Sequence, residues 1–310
     1  MEKFLKIRYK NTMMQKNIDK NKLMKTASHA SMATATLLIV LKLITFLITG
    51  SMAILSSLFD SIQDAMTSTV NLIAIRHATE PADKEHSFGH GKAHALGGVS
   101  QAFIIAIASL FLLKESIHRL FDPQEITQIG LGIGITLFAL ILTLFLIRFQ
   151  KYVVRKTGSL SIKADMAHYT GDILMNVGVI VSMVLSYYLG WTCLDAVFGI
   201  GVAVYLLVVV YQITIESFKM LMDTEMPPAF RKKITDIAMS FSDVIDMHDL
   251  KTRQSGDCIF IQFCIHMDKD LTLEQAHTIT DEIEQAIIKK IPEAQVLIHF
   301  EPHLHKENIA

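Results

Sequence analysis

The chain has 310 residues, of which 51% are hydrophobic and only 19% charged, below the roughly 25% charged of an average soluble protein. A formal net charge of −1 gives no support to nucleic-acid binding, and Cys193, Cys258 and Cys264 are odd in number and form no disulfide framework. The apolar excess falls in long runs, so the chain reads as an α-helical membrane protein.

Residues 1–27 are a basic lead. Lys3, Lys6, Arg8, Lys10, Lys16, Lys20, Lys22 and Lys25 stand there against Glu2 and Asp19, which suits a flexible arm near anionic lipid. No cleavable signal peptide is evident. Six apolar runs follow, at 28–49, 53–76, 95–117, 128–148, 160–189 and 193–215. Each is near or above the ~20 residues that cross a hydrocarbon core, which makes 28–215 a six-helix transmembrane domain. The second and fifth runs are the least apolar and should face the bundle interior.

Lysine and arginine set the orientation. The lead is basic, and Arg148, Lys151, Arg155 and Lys156 lie between the fourth and fifth runs with no acid among them. Both segments should be cytoplasmic, and the uncharged links at 50–52 and 190–192 should lie outside. Six spans return both termini to the cytoplasmic side of a cell inner membrane.

From 216 to 310 the character changes. Met226-Pro227-Pro228 breaks the last span. A helical pattern over 229–241 follows. Strands are expected at 248–254 and 257–267, joined by a turn at Ser255-Gly256-Asp257. A charged amphipathic helix over 272–290 takes Thr272 as its N-cap, and a last strand spans 295–301. This is a small cytoplasmic α+β domain of about ninety residues, within the usual domain range.

Three groups of residues offer metal-ligand chemistry. Asp60 with Asp64, and His168 with Asp172, stand four residues apart inside apolar runs, so each pair shares one helix face. Ionisable groups within a membrane usually mark an ion or proton path. Three carboxylates and an imidazole suit Zn²⁺, and also Fe²⁺, Co²⁺ or Cd²⁺. The imidazole titrates near neutral pH, and metal binding requires its neutral form, so metal and protons compete for the site. Asp165 lies one turn before His168 as a helper or access residue, and Lys42 in the first run reads as a snorkelling or pairing residue. A polar loop, PADKEHSFGHGKAH at 81–94, holds Asp83, His86 and His90 at ligand spacing, and a solvated histidine loop has the same composition. The last group is His248, Cys264, His266, His277, His299 and Glu301. Cys264 and His266 share a strand face, as do His299 and Glu301. A thiolate with imidazoles suits zinc-like ions, while a cysteine packed as a small hydrophobe beside surface histidines fits the same spacing. No HExxH or comparable hydrolytic arrangement is present, and no enzymatic activity is expected.

Together, LFDSIQD (58–64), HSFGHGKA (86–93), ADMAHYTGD (164–172) and HDLKTRQSG (248–256) resemble the cation diffusion facilitator family, in particular its bacterial ferrous-iron and zinc efflux pumps. The resemblance runs from about residue 28 to 303. It implies six transmembrane helices and a cytoplasmic (ferredoxin-like) domain that pairs in a homodimer. It maps a transport site onto Asp60, Asp64, His168 and Asp172, a set associated with Zn²⁺ and Cd²⁺ and sometimes Fe²⁺, whereas an all-aspartate set is associated with Mn²⁺. It maps a loop site onto Asp83, His86 and His90. A dimer-interface site maps onto His248, Cys264, His277, His299 and Glu301, with cysteine here in place of the family's histidine at 264 and glutamate in place of its aspartate at 301. Lys92 and Asp223 map onto a charge interlock between protomers. The expected function is a Zn²⁺/proton antiporter exporting Zn²⁺, with Fe²⁺ and Cd²⁺ as alternative cargo and no prosthetic group. A membrane metal sensor that does not transport is the alternative.

Overall fold

The computed structural model describes residues 2–49, 52–121, 132–189 and 194–303. The expected outer links, Cys193 and the tail beyond 303 fall wholly or largely outside them. Six long helices come first: α1 (Glu2–Thr49), α2 (Met52–Ala78), α3 (Ala93–Phe121), α4 (Gly132–Thr157), α5 (Leu160–Leu189) and α6 (Leu194–Leu221). They are followed by α7 (Pro228–Ala238), β1 (Asp246–Ser255), β2 (Cys258–Asp268), α8 (Leu273–Lys290) and β3 (Ala294–His303). The chain divides into two compact units, one spanning Ile18–Phe218 and the other containing Lys219–Ala310.

In the first unit, α5 packs on α2, α3 and α4. Small residues set these approaches, as expected where helices must come close within a membrane. Gly97 of α3 lies so near its neighbours that an added Cβ would collide with Ala74 Cβ of α2 and Ser161 Oγ of α5. The outward faces are apolar, with Leu47, Ile48, Phe111, Phe145 and Tyr211 at least two-thirds exposed. In water such surface would be a liability, whereas lipid accepts it. Among the described residues, parts of α1, α3, α4 and α6 are long and apolar enough to cross a membrane. Among its described residues, the ligand-bearing helix α2 does not reach that mark. In α2 the reason is plain: Asp60, Asp64, Asn71 and Arg76 interrupt its apolar residues.

Two sequence expectations change here. α1 does not begin at the first apolar residue; it runs unbroken from Glu2. Met24 and Ala27 are buried against Ile75, Val153 and Ile162, so the last turns of the basic lead are packed rather than a loose arm. Asp165 is fully buried. Its Oδ2 accepts hydrogen bonds from Ser31 Oγ at 2.6 Å and Gln150 Nε2 at 2.7 Å, which ties α1, α4 and α5 together. That makes it a structural tie rather than an access residue, since buried carboxylates are tolerated when hydrogen-bonded.

In the second unit the sheet order is β1-β2-β3, with β1 and β2 antiparallel and β2 and β3 parallel. The parallel pair needs a crossover, which α8 supplies. Period-two alternation sends Ile261, Phe263, Ile265 and Met267 of β2 into a core with Ile234 and Ile237 of α7 and Ile283 and Ile287 of α8. The intervening β2 residues therefore face away from the helices. Thr272 caps α8 in a reciprocal box: its side chain accepts from Gln275 N, and the Gln275 side chain accepts from Thr272 N at 2.8 Å.

Candidate metal sites

In the bundle, α2 presents Asp64 and α5 presents His168 and Asp172. One ligand atom of each lies within 4.8 Å of the others. His168 Nε2 is 2.9 Å from Asp64 Oδ1 and 3.8 Å from Asp172 Oδ2. The four-residue step within α5 stacks His168 under Asp172. A cavity of about 280 Å³ opens beside them, and Asp60 and Lys42 line it as well. Asp60 is thus at the cavity but outside the three-residue cluster. Lys42 Nζ donates to Ser57 O at 2.9 Å and Ser61 Oγ at 2.7 Å. The sequence suggested pairing for Lys42. The structure gives it hydroxyl and carbonyl partners and puts it in the cavity wall, where an ammonium offsets the charge of nearby carboxylates. The cue available in the sequence was a lysine near the middle of an apolar run.

The loop between α2 and α3 brings Asp83, His86 and His90 within the same ligand distance. His86 Nδ1 is 3.3 Å and His90 Nε2 3.4 Å from the Asp83 carboxylate. The loop folds this way because Asp83 Oδ1 accepts from the backbone N–H of His86 at 2.6 Å and of Glu85 at 3.0 Å, an Asx-type turn. Gly89, at φ 79°, supplies the left-handed step that brings His90 back. The His86 N–H bond chiefly holds the Asp83 carboxyl below its ordinary range, so it is ionised and available as a ligand.

On the sheet, His248, Cys264 and Glu301 form one cluster, and Asp246, His248 and His266 another. His299 Nε2 is 3.3 Å from Glu301 Oε1. His277 is in neither cluster. It sits on α8, which covers the opposite, core-forming face of the sheet. Partial burial, reinforced by the Glu301 carboxylate, pushes the Cys264 thiol up. A metal binding there must displace a proton. Cys258 is pushed up further, to about 11, mainly by burial, and behaves as a packed thiol.

The family model of the cation efflux transmembrane domain matches residues 28–222, and that of the cation efflux protein cytoplasmic domain matches 226–303. The cation-efflux pump FieF of Salmonella paratyphi A is 41% identical over 281 residues, 91% of this chain and 93% of that protein. FieF of Salmonella choleraesuis (strain SC-B67) is 42% identical over the same shares. Among solved structures, the metal-bound C-terminal domain of the CzcD transporter from Thermotoga maritima is 26% identical, covering 26% of this chain and 100% of that one, with a TM-score of 0.25.

Proposed function

From the premise that this chain belongs to the cation efflux family and moves divalent metal cations across a membrane, we propose that it exports Zn²⁺ from the cytoplasm in exchange for protons. The observation that carries this reading is the Asp64–His168–Asp172 cluster beside a cavity between apolar helices. Three donors already converge, and Asp60 lines the same cavity, one turn from Asp64. With Asp60 added, the set is three carboxylates and one imidazole, suited to Zn²⁺ and also to Fe²⁺ or Cd²⁺. Before metal arrives, His168 lies between two carboxylates, 2.9 Å from Asp64 and 3.8 Å from Asp172, where the imidazole can carry a proton. Zinc binding expels that proton, and reprotonation from the far side expels zinc. Exchange of one for the other is then a property of the site.

The remaining architecture supports the same reading. On this reading α1 to α6 are the six spans, both termini lie in the cytoplasm of an inner-membrane protein, and α2 and α5 turn inward because they hold the ligands. Asp83, His86 and His90 form an intermediate site on the cytoplasmic side. The sheet domain pairs two copies, with Lys92 and Asp223 interlocking between protomers. His248, Cys264, His299 and Glu301 bind regulatory zinc. Proteoliposomes with an imposed proton gradient and a zinc indicator test the proposal. Wild type should move zinc, and Asp64→Ala should not. A wild-type protein that binds zinc without moving it would identify a sensor instead.

A further inference from the structure

A lysine in a transmembrane helix usually extends its ammonium to the membrane surface. Lys42 of α1 turns to the cavity instead. Its Nζ donates to Ser57 O at 2.9 Å and to Ser61 Oγ at 2.7 Å. Both acceptors are on α2, where Ser57, Asp60, Ser61 and Asp64 follow the i, i+3, i+4, i+7 spacing of one helix face. The ammonium is therefore seated on the face of α2 that carries Asp60 and Asp64. Asp172 of α5 lines the same cavity, and among the described residues Lys42 is the one lysine or arginine in its wall. Neither hydrogen-bond partner is charged, so the ammonium acts on Asp60, Asp64 and Asp172 through space.

We infer that Lys42 sets the metal affinity of the bundle site by balancing its charge. An ammonium has no lone pair and cannot itself be a ligand. The inference rests on the transport site proposed above and adds to it a residue that governs release. Three carboxylates outweigh a divalent ion by one charge, and the Lys42 ammonium supplies the missing one. With His168 neutral, as metal binding requires, the loaded site then carries no net charge. A net charge is costly in a low-dielectric interior. Without Lys42 the loaded site keeps one uncompensated negative charge, and the ion is held more tightly. Lys42 thus keeps the cargo bound weakly enough to be passed on. The effect depends on charge and not on donor type, so it acts alike on Zn²⁺ and Cd²⁺ and leaves selectivity to His168.

Calorimetry on the full chain in detergent at one pH follows zinc binding, and the part lost in Asp64→Ala is assigned to the bundle. Lys42→Gln removes the charge and keeps a donor for Ser57 O and Ser61 Oγ. It should bind that zinc at least about tenfold tighter than wild type, and Cd²⁺ by a similar factor. Its zinc flux in proteoliposomes should fall, since tighter binding among close variants shows mainly as slower release. Lys42→Met should do the same. Lys42→Arg keeps the charge and should stay within about threefold of wild type. Equal or weaker zinc binding in both Lys42→Gln and Lys42→Met overturns the inference, as does a Lys42→Arg that behaves like Lys42→Gln. A lysine that only ties α1 to α2 gives that result, because its loss misplaces the ligands. Equal zinc binding by wild type and Asp64→Ala would sink the transport site itself, and this inference with it, so the two failures are told apart.

Discussion

In the bundle and on the sheet, similar donors sit in opposite surroundings. The His168 side chain is 8% exposed, and Asp64 17%. On the sheet His248 is 35% exposed and His299 68%. The bundle ligands come from two separate helices, α2 and α5, so the proposed transport requires these helices to shift against each other. The sheet ligands hang from hydrogen-bonded strands whose spacing is fixed, so that site can only fill or empty. Burial also changes what a lost ligand does. Inside the bundle, removing one member of a charge group leaves the others uncompensated in a low-dielectric medium. On the sheet face, water replaces it.

The predictions sharpen that contrast. The largest effect belongs to the bundle. Asp64→Ala or His168→Ala should lower zinc flux into proteoliposomes more than about 100-fold, beyond the 10–100-fold typical of an outer-shell partner. Next comes His168→Asp, which should raise the Mn²⁺-to-Zn²⁺ flux ratio about tenfold, since an all-oxygen set favours harder ions. An unchanged ratio in competition flux would remove the imidazole from the selectivity argument. On the sheet, Cys264→Ser should change flux by less than about threefold, because the site lies off the path, while altering the pH response of metal binding. The Cys264 thiol is raised, so it carries its proton at neutral pH, and zinc must displace it. Wild-type affinity should therefore rise with pH, by up to about tenfold per unit for one displaced proton, and more steeply than in Cys264→Ser. Calorimetry at several pH values reads the two slopes. The smallest effect lies away from every ligand. Thr272→Ala removes the α8 capping box at a cost of about 1 kcal/mol, visible in denaturant unfolding with no change in zinc stoichiometry.

What could be read from the sequence follows from how local each signal is. The spacings 60/64 and 168/172 specify a helix face without reference to the rest of the chain, and the structure places Asp64, His168 and Asp172 together. The Thr272 cap and the alternation of β2 are equally local. Long-range placement was less visible. Whether Asp246 and His266 meet His248 depends on cross-strand register, which a one-residue slip would undo. His277 has the right chemistry, but α8 must cover the core, and that carries it to the other side of the sheet. Lys42 looked like a residue apart from the site because its partners, Ser57 and Ser61, lie on a different helix. The unbroken α1 was hidden because its first half is polar, and among the described residues the packing of Met24 and Ala27 marks its buried stretch.

The central claim is that one cluster of residues binds zinc and protons by turns. It is tested most directly by proton movement driven by zinc alone. Proteoliposomes are prepared with a pH dye inside, no imposed proton gradient, and zinc added to one side. The account predicts proton flux opposite to zinc in the wild type, and neither flux in Asp64→Ala. Zinc flux without proton movement, or proton movement that persists in Asp64→Ala, would contradict it.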